Sequence, residues 1–311
     1  MAKNNKGAVG VVGLGIMGGA FAKSLASAGW RVIGYDPSRN AIAAARRAGV
    51  EIATSVVEVA QQAPVILTSL PKPQALALTA RAIAAAKLPK RTIVEMSTFT
   101  LADKEQARTT LEKSGHVVLD TPVSGTGAQA KTRDLIFYAS GNSAAIKRLR
   151  PMFKSFGREA YDVGKFGNGS RMKYVANLLV AINNVASGEA MVLGMKSGLP
   201  PQTIFDLIRA GAGNSRVFEL RAPLMVADRY KPATMRIDVW QKDMQVIGDF
   251  AKQLGVEVPL FRASAPIYDK AIASGHGSDD TAAVCAVLER MVKFKRGKFT
   301  NSARKPARKR S

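Results

Sequence analysis

The sequence predicts an α/β chain in two parts: a doubly wound, mostly parallel Rossmann sheet, joined by a long helix to an all-α domain. Three observations carry this expectation. Short β-branched runs alternate with helical stretches through the first half of the chain. A glycine-rich turn closes the first of those runs. Beyond Gly169 no convincing strand recurs, and one apolar stretch leads into helical segments punctuated by Pro and Gly.

The elements follow in order. Residues 8–12 (AVGVV) read as the first strand and the Ala-rich stretch to Ala28 as the first helix. Residues 31–35 are a second strand and 39–48 a second helix. The runs 64–69 (PVILTS), 91–95 (RTIVE) and 116–119 (HVVL) look like buried strands, and helix-like 74–86 and 102–113 separate them. Residues 135–140 and 160–163 are expected to extend the same sheet. From 171 to 196 no proline interrupts the chain, and Met172, Val175, Leu179, Ile182, Val185, Met191 and Leu193 occupy most faces, which predicts a buried helix forming the spine between domains. The expected division is an α/β domain over 1–166, an all-helical domain over 167–292, and a disordered basic tail over 293–311.

Composition excludes several classes. With 311 residues, 47% hydrophobic and 22% charged, the chain is neither disordered, collagenous nor a disulfide scaffold. Cys285 is the lone cysteine and there are two histidines, so no internal disulfide forms and no His/Cys metal site is expected. Lys3 and Lys6 before the apolar run 8–22 imitate a signal peptide, but the glycines of that run answer to another pattern. The chain is read as cytoplasmic with no membrane partner. Its net charge is +23, and residues 293–311 hold nine Lys and Arg without an acid. That tail is expected to be solvated, with weak nonspecific nucleic-acid contact as the alternative.

Gly13-Leu14-Gly15-Ile16-Met17-Gly18 is a G-x-G-x-x-G set between a strand and a helix, the context that marks a dinucleotide site. Gly13 allows the tight turn, Gly15 leaves room for a pyrophosphate, and Gly18 lets helix and strand approach. Asp36, 21 residues after Gly15, ends the second strand. A carboxylate there accepts hydrogen bonds from the adenosine ribose and repels a 2′-phosphate, which favours NAD over NADP. No G-x-S-x-G elbow, Walker loop or metal-ligand spacing offers another chemistry. Asp279-Asp280 reads as a helix cap, and neither His116 nor His276 is the expected base.

Together these residues resemble the β-hydroxyacid dehydrogenase family, which includes 3-hydroxyisobutyrate dehydrogenase and tartronate semialdehyde reductase. The resemblance spans about residues 7–292 in separated blocks. They are the glycine turn, Leu70-Pro71, Ser97-Thr98, Asp120-Thr121-Pro122-Val123-Ser124-Gly125, the segment Gly167-x-Gly169-x-x-x-Lys173-x-x-x-Asn177, and Lys242-Asp243. It implies that Leu70 and Pro71 cover the adenosine side of the cofactor and that Ser97 and Thr98 lie near the nicotinamide. Ser124 and the backbone at Gly125 and Thr126 then bind substrate, Lys173 is the general acid/base, and Asn177 orients the reacting hydroxyl. Lys242 serves substrate or cofactor. The chain departs from the family pattern at Thr126, Arg133-Asp134, Glu95, Leu101 and Ala176, all flanking the substrate pocket.

The expected function is therefore hydride transfer between a small β-hydroxy acid and NAD, with NADP as the alternative cofactor and the substrate in the cleft between domains. A homodimer or homotetramer is expected by analogy. The competing readings are an imine reductase of the same fold, where the resemblance predicts Asp or Tyr in place of Lys173, and a non-catalytic Rossmann module whose tail holds nucleic acid.

Overall fold

The alternating apolar runs become a six-stranded sheet in a computed structural model that describes residues 6–297. Its strands are β1 (Ala8–Val12), β2 (Arg31–Tyr35), β3 (Glu51–Ile52), β4 (Val65–Thr68), β5 (Thr92–Glu95) and β6 (Val117–Asp120), in the order β3-β2-β1-β4-β5-β6. Every pairing is parallel. Neighbours in sequence face opposite sides. Val11, Leu67, Val94 and Leu119 enter one core, while Val12, Ile66, Ile93 and Val118 enter the other. Both faces are thus covered, which is why the middles of the central strands are apolar on both sides.

The intervening helices are α1 (Ile16–Ser27), α2 (Arg39–Arg47), α3 (Val56–Gln62), α4 (Pro73–Ala85) and α5 (Leu101–Glu112). Their starts are set by side chains that accept otherwise unpaired first-turn N–H groups: Ser38 from Ala41, Ser55 from Glu58 and Thr100 from Asp103. Strand order reverses between β1 and β4, so the loops after these two strands diverge and open the crevice in which such sheets bind ligands.

The runs at 135–140 and 160–163 do not extend that sheet. They form β8 (Ile136–Ala139) and β9 (Glu159–Asp162) of a second, three-stranded sheet with β7 (Val123–Ser124). Here β7 and β8 are antiparallel, β8 and β9 parallel. One bridge, between Asp120 and Ser140, links the two sheets. The reason lies at Pro122, which has no N–H to continue a ladder beyond β6. Tyr138 N–H instead donates to the Pro122 carbonyl at 3.1 Å, and the chain crosses antiparallel. Between these strands lie α6 (Gly127–Lys131) and α7 (Ser143–Phe153). Phe137, Phe153 and Phe156 seat the second sheet on Phe21 of α1, with ring centroids 4.8 to 6.0 Å apart.

The long helix α8 (Asn168–Lys196) follows, and the chain divides inside it into compact units, 1–176 and 177–311. Helix α8 is long and apolar enough to cross a membrane by length and composition, and 44% of its apolar window is buried in the fold. Its sequence predicts a buried helix, but it is not buried all round. Met172, Val175, Leu179 and Leu193 are exposed, Leu193 to 75%. The second unit continues with α9 (Pro201–Ala210), α10 (Arg216–Val226), α11 (Ile237–Gln253), α12 (Pro259–Ala273), a 3-10 turn at Thr281–Ala283 and α13 (Val284–Met291), with no strand among its described residues. Asp280 caps the 3-10 turn through Ala282 N–H and takes a buried ion pair from Arg221 at 2.8 Å. The tail expected from residue 293 begins packed: Arg296 donates to Glu289 Oε1 at 2.7 and 2.9 Å. Residues 298–311, on which the rest of that expectation falls, lie outside the described residues.

Candidate active site

The glycine turn after β1 is shaped by close approach on two sides and by space on the third. A Cβ on Gly18 would lie 1.9 Å from the Gly13 carbonyl oxygen, and one on Gly13 2.2 Å from that of Ser69. Only hydrogen fits at either. A Cβ on Gly15 would meet nothing within 4 Å, so packing within the protein does not explain that glycine. Gly15 is the N-cap of α1, no side chain caps it, and the first turn carries no acid. The helix thus presents first-turn N–H groups and the positive end of its dipole toward open space, which fits a pyrophosphate. Asp36 stands at the end of β2, where Oδ2 accepts from Leu14 N–H at 2.8 Å and Oδ1 from Ser38 N–H at 2.7 Å. Each oxygen retains acceptor capacity for a ribose hydroxyl.

The next loops are tied together from beneath. Leu70 N–H donates to Ser97 Oγ at 2.9 Å, joining the turns after β4 and β5, and Ser97 N–H donates to Glu95 Oε1 at 2.9 Å. Glu95 begins a buried charge cluster that no local sequence pattern signals. Lys104 Nζ lies 2.7 Å from Glu95 Oε2 and 2.8 Å from Asp120 Oδ1, with all three side chains at most 2% exposed. Burial works against the ammonium, but the Asp120 and Glu95 charges outweigh it and hold Lys104 well above the usual lysine range. Asp120 in turn accepts from Ser170 N–H at 2.7 Å and Ser170 Oγ at 2.8 Å, in the first turn of α8. The excess negative charge of the cluster thus meets the positive end of that helix. Gly169 makes the docking possible, since a Cβ there would lie 2.3 Å from the Tyr138 carbonyl oxygen and 2.7 Å from that of Asp120. Tyr174 OH donates to the Phe99 carbonyl oxygen, and burial pushes its phenol up to about 12.

Lys173 follows Ser170 by three residues, on the same face of α8, and is 8% exposed. Asn177 is one turn further along α8. In the second unit its Nδ2 donates to Asp243 Oδ2 at 3.0 Å, and Lys242 Nζ lies 3.0 Å from Asp243 Oδ1. One carboxylate, 7% exposed, therefore holds both predicted residues. Asp243 was visible in the sequence only as the partner of Lys242. Nothing in the spacing signalled that it bridges to α8.

The loop after β7 adjoins the glycine turn: a Cβ on Gly127 would lie 2.6 Å from Ile16 Cγ2. Ser124 and Gly125 lead into it. Thr126 N–H, expected to face a substrate carboxylate, is instead donated to Gln129 Oε1 at 3.1 Å as Thr126 caps α6. Arg133, where the family pattern carries glycine, has left-handed backbone with φ of 59°. Thr98 is half-buried and Pro71 exposed beside these loops. His116 Nδ1 accepts from Arg91 N–H at 3.2 Å, and His276 pairs with Asp279 at 2.7 Å. Among the described residues no group of three or more His, Cys, Asp or Glu side chains is placed to hold a metal ion.

Comparison with known proteins agrees with the fold. Residues 8–164 match the NAD binding domain of 6-phosphogluconate dehydrogenase, and residues 167–288 match the NAD-binding domain of NADP-dependent 3-hydroxyisobutyrate dehydrogenase. L-threonate dehydrogenase of Cupriavidus necator is 30% identical over 284 residues, 90% of this chain and 95% of that protein. The solved structure of Mycobacterium tuberculosis 3-hydroxyisobutyrate dehydrogenase with L-serine superposes with a TM-score of 0.81 at 29% identity, covering 90% of this chain and 98% of that one. An imine reductase from Streptomyces aurantiacus shares the fold, with a TM-score of 0.60 at 17% identity and coverage of 90% and 99%.

Proposed function

The chain belongs to the β-hydroxyacid dehydrogenase family, and from that premise we propose the residues that carry its reaction and the ligands it takes. It is an NAD(P)-dependent oxidoreductase acting on the CH–OH group of a small β-hydroxy acid. The nicotinamide, when bound, supplies the hydride acceptor. The protein supplies the rest. Lys173, as the free amine, accepts the hydroxyl proton while the carbon–oxygen double bond forms, and in the reductive direction its ammonium returns that proton. Asn177, held by Asp243, orients the reacting hydroxyl. Ser124 and the backbone at Gly125 grip the substrate carboxylate, with Lys242 adding positive charge. Gly13 to Gly18 and Asp36 hold the dinucleotide, with Leu70, Pro71, Ser97 and Thr98 covering its length.

One observation carries this reading: Lys173 is buried on a helix whose first turn is clamped to the strand ends that also bear the cofactor loops. A surface lysine would need no such mounting. Asp36 beside the glycine turn favours NAD over NADP. The exposed apolar residues of α8 support a homo-oligomer, a dimer or a tetramer. A cytoplasmic setting suits an enzyme that draws on free dinucleotide. The imine reductase likeness concerns the fold alone, and Lys173 favours alcohol chemistry.

The test is turnover of 3-hydroxyisobutyrate, L-threonate, glycerate, 4-hydroxybutyrate and serine with NAD and NADP, followed by nicotinamide absorbance. Lys173→Ala is expected to lower kcat by about 10²- to 10⁴-fold, the usual contribution of a general acid/base, with NAD affinity retained. No turnover with any hydroxy acid, or full activity in Lys173→Ala, overturns the assignment.

A further inference from the structure

The net charge of +23 is not explained by the reaction, nor is it confined to the ends of the chain. One segment of the first unit concentrates it. From residue 135 to 158 there is no Asp or Glu, while Lys147, Arg148, Arg150, Lys154 and Arg158 fall within twelve residues. Lys147, Arg148 and Arg150 lie on helix α7, Lys154 is its C-cap and Arg158 lies beyond it. Ala145, Ile146, Leu149, Met152 and Phe153 are buried in the unit, and all five basic residues are exposed. Lys147, Arg150 and Lys154, spaced three and four apart, share one narrow face. Arg158 is engaged by Asp134 at 3.0 Å.

A cleft of about 710 Å³ adjoins α7, and Arg148, Lys90, Trp30 and Asn142 are among the residues that line it. The Trp30 ring is held in place by its N–H, which donates to Ser155 Oγ at 2.9 Å. The cleft also takes in Val65, Thr92 and Val117, the first residues of β4, β5 and β6. It therefore lies at the edge of the sheet opposite the glycine turn, which follows the last residue of β1. Cofactor and a second ligand would not compete for space.

From this juxtaposition we infer that the basic face of α7, with the adjoining Lys90–Arg148 cleft, is a docking surface for the phosphate backbone of nucleic acid. Lys147 to Lys154 spans about 10 Å at a rise of about 1.5 Å per residue. Duplex DNA carries one charge per about 1.7 Å of axis, so several phosphates face that row at once. Chain chemistry favours nucleic acid over a lipid surface. Membrane-docking helices set large apolar side chains beside their cations, whereas the exposed large hydrophobic residues of this protein include none from α7. Trp30 adds an aromatic ring to the cleft that Lys90 and Arg148 also line.

The experiment measures binding of the full chain to a fluorescent random-sequence duplex across a salt series. The triple variant Lys147→Gln, Arg150→Gln, Lys154→Gln is compared with a control of equal charge loss on the second unit, Lys196→Gln, Lys252→Gln, Lys270→Gln. Each phosphate contact contributes about 0.9 to the slope of log K against log salt, so the α7 triple is expected to lower the slope by about 2 to 3, and the control by much less. Dehydrogenase turnover should be unchanged in both. Equal slopes for the two triples assign the binding to diffuse charge and overturn the inference, as does undetectable binding by the unmodified chain. Competition by phosphatidylserine vesicles that is lost in the α7 triple overturns it in favour of a lipid surface. A lack of hydroxy-acid turnover would sink the proposed reaction and leave this result untouched.

Discussion

Lys104 shows how much a single buried residue organises here. Its ammonium neutralises part of two carboxylates at the ends of adjacent strands, and those carboxylates hold Ser97 and Ser170. Removing it leaves two unpaired buried charges. Lys104→Met should therefore lower stability by about 3 to 5 kcal/mol in urea unfolding, as expected when one partner of a buried pair is deleted. The double variant Lys104→Met, Glu95→Gln restores the cluster's net charge and should recover part of that loss; additive losses would show that the two residues do not act together. Cys285 makes a second residue-scale case. Burial pushes its thiol up to about 12, with the Glu289 charge adding to the shift. The folded chain then keeps a proton that the unfolded chain releases above about pH 9, so this group's contribution is intact below that range and declines as pH rises toward 12. Iodoacetamide at pH 9 should accordingly label Cys285 at the rate of unfolding, and Cys285→Ala should flatten the alkaline loss of stability. Rapid labelling of the folded chain would contradict both.

At the scale of elements, the glycine turn separates packing from binding. Gly18→Ala forces a Cβ onto the Gly13 carbonyl and should destabilise the first unit, reading out as a lower urea midpoint. Gly15→Ala meets no protein atom and should leave the midpoint unchanged while weakening NAD binding at least tenfold by calorimetry. Equal effects on stability would mean that Gly15 is a packing glycine after all. The first strands and helices were readable because period and caps are local: Ala8–Val12 and Arg31–Tyr35 stand where the apolar runs placed them, and Ser38 and Thr100 open their helices. The runs near 135 and 160 are strands, as their residues predict, but of a second sheet. A strand's partner depends on where the chain has turned, and Pro122 and the Asp120–Ser140 bridge decide that from outside both runs.

For the whole molecule, ligand and self-association are the measurable consequences. A dinucleotide that binds only the folded chain stabilises it by about 2.7 kcal/mol at a concentration one hundred times Kd, so NAD should raise Tm, and at equal concentration more than NADP does. An inverted order would show that Asp36 does not discriminate. The exposed residues Val175 and Leu179 of α8 should sit in the contact between copies. Val175→Asp with Leu179→Asp is expected to shift sedimentation toward the monomer while the far-UV spectrum is kept. A monomeric parent chain would dismiss that role.

What the amino-acid order alone determined was the α/β class, the glycine turn with its acidic partner Asp36, and the family whose blocks place Lys173 and Asn177, because each is written in short-range spacing. What only the tertiary structure decided was which groups support them. Lys104 reaches Glu95 and Asp120, Asp243 bridges Asn177 to Lys242, and Thr126 gives its N–H to Gln129. Those partners are chosen by where strand ends and helix turns come to rest. A charge in the chain looks alike whether solvated or buried, and only the fold determines how much water it loses and which opposite charge replaces it.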